Sequence, residues 1–575
     1  MMQNSAKALF LFFVFRFLWY TNLMDKKDIK NYANNEYRRW LEKSVKDVQL
    51  QQELEQLADN EEERIDSFYT DLQFGTSGLR GIIGAGTNRM NEYVVRRTTQ
   101  GLADYLNGHC SEPSIVIAYD SRKKSKVFAL ETAKTLRGNG IEVFLFQEIA
   151  PVSLLSYAIG RLHCSMGIMI TASHNPKIFN GYKVYNQNGY QIVGEEADQI
   201  SEAIDQLDFF EGIRVSEEGI RFVDEWVCDD FIAKITSFSL LSGQKKTLST
   251  LSVVYSPLNG AGNRYVRQVL ANIGFENLTV VPSQENPDEN FTTCPTPNPE
   301  KITAYTESFK VLDQIGGDVI IATDPDSDRV GLCLLYEGMK VLLTGNQLGI
   351  LIFDYLCQRR KAKPGQVVIK SIVSTPLIEK MAEKYGLQVI NTLTGFKYIG
   401  ELITALSNRG EEKSYFFGFE ESNGYLINPF IRDKDGVSSA MIAVEMAAYH
   451  KAQGKNLIER LQEIYAEFGT CRDKTRNYFF EGPYGAMAMK SLMNHFRREI
   501  DDSIGGRKIL KKRDYMEETG LPKADVVEFI LEGGARFIIR PSGTEAKIKV
   551  YLFETENNTK LEKAIEHIIE TYKEL

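Results

Sequence analysis

Short apolar runs alternate with longer mixed segments along most of the chain, which predicts strands that alternate with helices. The runs at 115–118, 166–170, 319–322 and 330–335 have the length and the β-branched content of buried strands. Residues 24–72 are polar and rich in Gln and Glu, which is typical of exposed helices, and an amphipathic helix is predicted from Leu561 onward. From about Phe74, the alternation predicts an α/β fold of layered sheets and helices.

The length of the chain predicts several domains. A chain of 575 residues is too long for one core and implies about three to five domains. The pattern divides into residues 24–228, 229–342, 343–468 and 471–575, with a hinge near Gly469 and Thr470. Each of these four segments is therefore expected to fold around its own core.

Three aspartates alternate with other residues at 324–328, between two predicted strands. Their repulsion raises their pKa values unless a cation is present, and oxygen ligands of this kind suit Mg²⁺ or Ca²⁺. An EF-hand is excluded, because its Gly and its bidentate Glu would fall on Arg329 and Leu335. The loop predicts a Mg²⁺ site with an open position for a phosphate oxygen; a solvated acidic turn is the alternative.

A serine follows another predicted strand, within the segment TASHNP at 171–176. A hydroxyl at the end of a buried strand can project into a cleft, where a base or an electrostatic field makes it a nucleophile. Taken alone, the segment is equally consistent with a turn, because Pro176 blocks regular structure. The Ser173 hydroxyl is therefore a candidate carrier of the phosphate that the acidic loop calls for.

Four motifs, in order along the chain, resemble those of the α-D-phosphohexomutase superfamily. TASHNP at 171–176, followed by NGYK at 180–183, resembles the active-site segment, and DPDSDR at 324–329 resembles the metal loop. GFEESNG at 418–424 is similar to the sugar-binding loop, and RPSGTE at 540–545 is similar to the phosphate-binding loop. The resemblance extends from about Phe74 to about Tyr551, and four motifs in one order make it specific.

The resemblance implies catalytic roles. Ser173 would be a phosphoserine whose phosphate completes the shell of one Mg²⁺ held by Asp324, Asp326 and Asp328. Lys183 would be the general acid or base, with an exposed surface lysine as the alternative. His174 is either an alternative base or a group that orients the serine loop.

The resemblance also implies phosphate and sugar contacts. Arg80, in the Gly-rich segment FGTSGLRG at 74–81, is expected to contact phosphate at the catalytic centre, with a set of tight turns as the alternative. Arg80 or Arg329 would be the cation that lowers the pKa of Lys183. The expected substrate-binding residues are Arg329, Thr394, Gly395, Glu420, Ser422, Lys434, Arg540, Ser542, Gly543 and Thr544. Asp120 and Arg122 are interpreted as architecture.

For the fold, the resemblance implies three mixed α/β-sheet domains of similar topology and a C-terminal α+β lid domain, around a central cleft. For the activity, it implies interconversion of glucose 1-phosphate and glucose 6-phosphate, with glucose 1,6-bisphosphate as intermediate and activator. The FGTSGLRG and GFEESNG variants favour the phosphoglucomutase and phosphopentomutase branch, so a pentose 1-phosphate and then mannose 1-phosphate stay open as substrates. A sugar phosphatase and a silent sugar-phosphate-binding scaffold are the alternatives from other classes.

The composition of the chain restricts which binding partners and which cellular compartment are expected. The net charge of −9 argues against a nucleic-acid partner, and seven Cys without a CxxC pair fit a reducing cytoplasm. The expected partners are small sugar phosphates, with no stable membrane association and with a monomer or a dimer as the assembly. Residues 8–20 are almost wholly apolar, so residues 1–23 are interpreted as a start codon assigned too early, with a weak signal or membrane-associating segment as the alternative.

Overall fold

The computed structural model describes residues 26–45, 47–75, 78–480, 485–542, 547–556 and 559–573. The interpretation of residues 1–23 and the predictions for Gly543 and Thr544 concern residues outside these ranges. Within the described part, no helix is both long enough and apolar enough to cross a membrane.

Three helices precede the first sheet: α1 (Lys26–Lys43), α2 (Val48–Leu57) and α3 (Glu61–Phe68). The side chains of Asp47 and Asn60 accept hydrogen bonds from backbone amides in the first turns of α2 and α3, which sets where these helices begin. Trp40 of α1 is fully buried, with its ring 5.8 Å from that of Phe68 and 5.5 Å from that of Phe209. The predicted helical segment is therefore fixed to the first domain by its aromatic core.

The first α/β domain contains a six-stranded mixed sheet with the order β1-β5-β4-β2-β3-β6. Its elements are β1 (Gly78–Ile82), α4 (Glu92–His109), β2 (Ser114–Tyr119), α5 (Ser125–Gly138), β3 (Glu142–Leu145), α6 (Val152–Arg161), β4 (Met166–Ile170), β5 (Phe179–Asn186), α7 (Gly194–Asp205) and β6 (Ile220–Phe222). All five residues of β4 are buried, as the continuous apolar run predicts. The TASHNP segment connects β4 to β5 and so leaves from the carboxyl end of a central strand.

The second domain contains a five-stranded sheet with the order β11-β10-β9-β7-β8. Its elements are α8 (Glu225–Thr236), α9 (Lys245–Leu248), β7 (Val253–Ser256), α10 (Gly262–Asn272), β8 (Leu278–Val280), a 3₁₀ turn (Ile302–Tyr305), α11 (Thr306–Ile315), β9 (Val319–Thr323), β10 (Val330–Tyr336) and β11 (Met339–Leu342). The acidic loop connects β9 to β10. Ala261 N donates a hydrogen bond of 2.8 Å to Pro325 O, and a side chain at Gly260 would lie 2.5 Å from the Pro325 Cα atom, so only glycine lets this turn support the loop.

The third domain contains a four-stranded sheet with the order β13-β12-β14-β15. Its elements are α12 (Gly345–Arg360), β12 (Val367–Ser371), α13 (Leu377–Lys384), β13 (Gln388–Thr392), α14 (Phe396–Asn408), a 3₁₀ turn (Glu412–Ser414), β14 (Tyr415–Glu420), β15 (Gly424–Leu426), α15 (Gly436–Ala452) and α16 (Leu457–Phe468). Thr344 and Gln347 form a capping box at α12, and Asn456 and Glu459 form one at α16. The GFEESNG segment connects β14 to β15.

The three α/β domains share one four-stranded unit. Its spatial order is β3-β2-β4-β5 in the first domain, β8-β7-β9-β10 in the second and β13-β12-β14-β15 in the third. In each unit the first three strands along the chain are parallel and the fourth is antiparallel. The serine, acidic and GFEESNG loops all connect the third strand to the fourth, so the unit places each of them at the same edge of its sheet.

The fourth domain contains a six-stranded antiparallel sheet with the order β16-β21-β20-β19-β18-β17. Its elements are β16 (Arg472–Phe479), α17 (Gly485–Arg498), β17 (Ser503–Ile504), β18 (Arg507–Asp514), β19 (Val527–Leu531), a 3₁₀ turn (Glu532–Gly534), β20 (Arg536–Pro541), β21 (Lys547–Glu554) and α18 (Lys560–Lys573). Arg536 donates a 2.6 Å hydrogen bond to Ile372 O of the third domain. The expected fold class, three mixed α/β domains followed by an α+β domain, is confirmed.

The buried side chain of His450 gives the third domain a pH-dependent stability. It lies near the end of α15, is 2% exposed, and neither ring nitrogen has a hydrogen-bond partner within the described residues. Burial lowers its pKa to about 4. Between the folded pKa and the unfolded value of about 6.5, only the unfolded chain binds the proton, so stability is lost as the pH falls through this window.

Because of His450, the free energy of unfolding should be about 2 kcal/mol lower at pH 5 than at pH 7, and the His450→Met variant should lack this loss. Thermal denaturation of the wild type and of His450→Met at both pH values measures this difference. His567→Met, at an exposed position of α18, is the control and should retain the wild-type pH dependence. Equal pH dependence in all three proteins would contradict the role of His450.

Candidate active site

The serine loop places Ser173 against the acidic loop of the second domain. Its hydroxyl donates a 2.7 Å hydrogen bond to Asp324 Oδ2, although 151 positions separate the two residues. Its Oγ atom also lies 3.2 Å from His174 Nδ1. Ser173 is 3% exposed and has a φ of 51°, a left-handed conformation that non-glycine residues seldom adopt. The expected meeting of the serine with the acidic loop is therefore confirmed.

The acidic loop brings its three carboxylates together in a buried cluster. One oxygen each of Asp324, Asp326 and Asp328 lies within 4.8 Å of the others. Asp324 Oδ1 accepts hydrogen bonds from the amides of Asp328 (3.0 Å) and Arg329 (2.9 Å), which curls the loop around this carboxylate. The Oδ1 atoms of Asp326 and Asp328 are buried and have no hydrogen-bond partner within the described residues. Orphaned carboxylate oxygens in one cluster fit a divalent cation.

Two lysines neutralise the acidic loop. Lys183 of β5 lies 2.8 Å from Asp326 Oδ2 and 3.7 Å from Asp328 Oδ2. Lys434, between β15 and α15, lies 3.2 Å from Asp328 Oδ2 and 2.9 Å from Asp433 Oδ1. The charged groups in contact with Lys183 are thus carboxylates, whereas the sequence predicts an arginine beside it. Arg80 instead donates to Asn175 Oδ1 (3.1 Å), and Arg329 pairs with Glu300.

The charges of the loop shift the pKa values of its members in opposite directions. Burial and the carboxylates of Asp326 and Asp328 raise the pKa of Asp324 well above its usual value. Burial alone would raise the pKa of Asp326, but the ammonium of Lys183 lowers it to about 2. Burial, followed by Arg329 and Arg80, lowers the pKa of His174 well below its usual value, so this imidazole is neutral at pH 7.

The sugar-side residues lie on two neighbouring loops of the third domain. Glu420 is 6% exposed and accepts a 2.6 Å hydrogen bond from Gly395 N, which joins the GFEESNG loop to the start of α14. Thr394 and Ser422 are half-buried on these loops. Lys434 lies 5.3 Å from the ring centre of Phe396, and a side chain at Gly424 would lie 2.3 Å from the Lys434 Cδ atom. Gly424 therefore leaves the space through which Lys434 reaches Asp328.

The fourth domain contributes a basic pair, Arg540 and Lys549, of which only Arg540 is predicted from the sequence. Arg540 of β20 contacts the Tyr551 hydroxyl, and Ser542 N donates a 2.8 Å hydrogen bond to Lys547 O. Lys549 of β21 lies directly opposite Arg540 in the antiparallel register. Burial, together with Arg540, lowers the pKa of Lys549 to about 8. Residues two apart on a strand share a face, so Lys549 lies on the same face of β21 as Tyr551, which Arg540 contacts. This spacing is the sequence signal that could have assigned Lys549 to the site.

Glu421 faces this basic pair from the third domain. Its carboxylate accepts a 3.1 Å hydrogen bond from the Ser371 hydroxyl. Burial and the neighbouring Glu420 raise the pKa of Glu421 to about 7, against the opposing effect of Lys549 and Arg540. The third and fourth domains thus present opposite charges to each other at the edge of the site.

Comparison with known proteins gives the family. Four family models match in order: phosphoglucomutase/phosphomannomutase alpha/beta/alpha domain I at 71–211, domain II at 229–336, domain III at 344–468, and the C-terminal domain at 498–570. The chain belongs to the phosphoglucomutase/phosphomannomutase family, and its membership of the α-D-phosphohexomutase superfamily is confirmed.

Individual relatives cover most of the chain. The phosphoglucomutase of Staphylococcus haemolyticus (strain JCSC1435) is 36% identical over 505 residues, which are 84% of this chain and 90% of the relative. A family protein from Burkholderia thailandensis aligns with a TM-score of 0.67 at 16% identity, over 88% of this chain and 98% of that one. Parafusin, a phosphoglucomutase from Paramecium in an open form, aligns with a TM-score of 0.65 at 20% identity, over 88% and 95%. These two structures show the shared fold.

Replacing Lys434 with Met should lower the free energy of unfolding of the metal-free protein by about 3 kcal/mol, because the buried carboxylates of Asp328 and Asp433 each lose their nearest lysine. Added Mg²⁺ should reduce this loss, since a bound cation supplies positive charge to Asp328. Thermal denaturation with EDTA and with Mg²⁺ measures both effects. The control is Lys245→Met, which breaks an exposed pair with Glu276 and should change stability by less than about 1 kcal/mol. A Lys434→Met loss no larger than that of the control would contradict this role.

Proposed function

We propose that the chain is a phosphoglucomutase, which interconverts glucose 1-phosphate and glucose 6-phosphate through a phosphorylated Ser173. The observation that carries the proposal is the hydrogen bond of 2.7 Å between the Ser173 hydroxyl and Asp324. It joins a candidate nucleophile of one domain to a carboxylate cluster of another, the arrangement that phosphoryl transfer needs. The relative from Staphylococcus haemolyticus, named phosphoglucomutase, supports glucose as the sugar.

In the proposed reaction, the phosphoryl group moves from Ser173 to the free hydroxyl of the hexose monophosphate. The bond from phosphorus to Ser173 Oγ breaks and the bond from phosphorus to the sugar oxygen forms. The sugar hydroxyl gives up one proton, and Ser173 Oγ gains one as its hydroxyl is restored. Glucose 1,6-bisphosphate is then held while Ser173 takes back the other phosphoryl group. The net result is transfer between positions 1 and 6 with no water consumed.

Lys183 is the group we assign to the proton, with His174 as the second candidate. Lys183 Nζ donates a 2.8 Å hydrogen bond to Asp326 Oδ2. Asp326 lies two positions after Asp324, whose carboxylate accepts the hydrogen bond from the Ser173 hydroxyl. His174 Nδ1 lies 3.2 Å from Ser173 Oγ, and its neutral imidazole is suited to orienting the hydroxyl. The shared acidic loop therefore brings the proton carrier and the nucleophile to one place.

The three aspartates are the residues that would hold one Mg²⁺, together with an oxygen of the phosphorylated serine. The fit rests on the buried Oδ1 atoms of Asp326 and Asp328, which accept no hydrogen bond within the described residues, and on the all-oxygen donor set. When bound, Mg²⁺ would neutralise phosphate charge as the phosphoryl group leaves. Lys183 and Lys434 lie on the same carboxylates and can offset the remaining negative charge there.

The third and fourth domains supply the groups that we assign to the substrate. Glu420 and Ser422 would hold sugar hydroxyls beside Thr394 and Gly395. Arg540 and Ser542, with Lys549 added by the structure, would hold the phosphate that does not react; Gly543 and Thr544 complete this expected set. Because the phosphoserine must be kept from water, we assign the fourth domain the role of a lid.

Ser173→Ala should abolish both mutase activity and the covalent phosphate, because no hydroxyl remains to carry the group. Intact-mass measurement should show an addition of about 80 Da on the wild type after incubation with glucose 1,6-bisphosphate, and none on the variant. Ser121→Ala is the matched control, since Ser121 is also buried in the first domain and its hydroxyl has no hydrogen-bond partner among the described residues. Near-wild-type turnover in Ser173→Ala, with its thermal stability retained, would falsify the assignment of the nucleophile.

The substrate is tested by comparing glucose, mannose and pentose 1-phosphates in a coupled assay with a catalytic amount of glucose 1,6-bisphosphate and Mg²⁺. We expect the highest kcat/KM with glucose 1-phosphate and loss of activity in EDTA. A higher kcat/KM for the pentose or for mannose would replace glucose as the proposed sugar. Release of inorganic phosphate without isomerisation would identify a phosphatase, and binding without turnover would identify a silent scaffold.

A further inference from the structure

The guanidinium of Arg122 lies beneath the serine loop and binds its backbone. The Arg122 side chain is fully buried. It donates hydrogen bonds to the carbonyl oxygens of Ser173, Asn175 (2.5 Å), Pro176 (3.1 Å) and Phe179 (3.1 Å). One side chain thus satisfies four carbonyl groups between the nucleophile and the start of β5.

Asp120, at the end of β2, fixes the other side of the same loop. Its Oδ2 atom accepts a 2.6 Å hydrogen bond from the Thr171 hydroxyl, and Thr171 Oγ1 in turn accepts a 2.8 Å hydrogen bond from Ser173 N. Asp120 also lies 3.2 Å from Arg122 Nε and accepts from Arg122 N (2.9 Å) and Ser125 Oγ (2.7 Å). The amide of Ser173 is therefore held through Thr171 and Asp120, and its carbonyl is held through Arg122.

Ser173 needs this support because its backbone is in a left-handed conformation, with φ at 51°. Such a conformation is unfavourable for a non-glycine residue and persists only where surrounding contacts impose it. If the backbone relaxed, the direction of the Cα–Cβ bond would change, and the hydroxyl would leave its position 2.7 Å from Asp324. The contacts to the amide and to the carbonyl of Ser173 oppose that change.

We propose that Asp120 and Arg122 are a positioning pair that aims the Ser173 hydroxyl, and the phosphate it carries, at the acidic loop. The expected loss of catalytic rate rests on the proposed phosphoryl transfer. The rigid support of the serine loop does not, because it follows from the hydrogen bonds of Asp120 and Arg122 alone. The contacts of the pair to the serine loop go to its backbone and to the Thr171 hydroxyl. The pair acts by keeping the reacting oxygen in place, and misplacement of a reacting group by about 1 Å can cost on the order of 100-fold in rate.

Arg97 is the matched control in the same domain. It is likewise a buried arginine, with hydrogen bonds to Leu207 O (2.8 Å) and Asp71 Oδ2 (2.9 Å), and its guanidinium lies 4.4 Å from the ring centre of Phe209. Arg97 lies on α4, and these contacts lie on the segment after α7 and on the segment between α3 and β1, not on the serine loop. Arg97→Lys therefore measures the cost of shortening a buried arginine without loosening Ser173.

The first experiment compares steady-state kinetics of Arg122→Lys and Arg97→Lys with the wild type. Lysine keeps the positive charge but cannot span four carbonyl oxygens. We expect kcat of Arg122→Lys to fall about 100-fold with KM changed by less than about threefold, and kcat of Arg97→Lys to stay within about threefold of the wild type at a temperature where both are folded. Equal, small losses of kcat in the two variants would overturn the proposal.

The second experiment tests the rigid loop without using activity. Hydrogen exchange of the peptide covering residues 171–180 should be at least about tenfold faster in Arg122→Lys than in wild type, and unchanged in Arg97→Lys. Thr171→Val serves if Arg122→Lys does not fold, because it removes only the hydroxyl that links Asp120 to Ser173 N. Unchanged exchange in the variant that folds would refute the positioning pair, whereas a wild type that lacks mutase activity would refute only the proposed function.

Discussion

The structure depends on how three buried carboxylates in one short loop are neutralised. Asp324 binds the Ser173 hydroxyl, Asp326 binds Lys183, and Asp328 binds Lys434. The backbone of this loop is also bound from both sides, because Val152 N donates to Asp326 O (3.0 Å) and Gly436 N donates to Ser327 O (2.9 Å). Since a buried charge without a partner is costly, the need to pair these carboxylates draws the first and third domains onto the second.

The chemistry of the site follows from that convergence. The partners of the loop come from β5 and the β4–β5 connection that precedes it, and from the segment before α15, about 250 positions later. The same contacts that stabilise the domain junction bring the proposed nucleophile Ser173, the proposed proton carrier Lys183 and the candidate cation site together. Lys183 and Lys434 each pair with a carboxylate of this loop, so part of its negative charge is offset by the protein itself.

Much of the fold and of the site can be predicted from the sequence, and the reasons are local. The runs that form β4 and β9 are apolar throughout, so both strands and the polar loops that leave them are visible in the pattern. The resemblance of four motifs identifies Ser173, the three aspartates and Arg540. Lys183 is found in the same way, but its carboxylate partners are not, because which charges face each other depends on how separate domains pack.

Other features could not be read from the sequence for similar reasons. Lys549 is one of two lysines on β21, and only the register of β21 against β20 places it opposite Arg540. Arg122 follows a strand as an ordinary polar turn residue would, and the four carbonyl groups that surround it belong to a segment about fifty positions later. Folding of the β4–β5 connection over the end of β2 creates that environment.

The repeated four-stranded unit has a consequence for how such a protein can diversify. Each unit offers one connection at the same place, and the chain uses these three positions for separate tasks. Each loop leaves from its own copy of the unit, so the sequence of one loop can change without disturbing the strands that carry the other two.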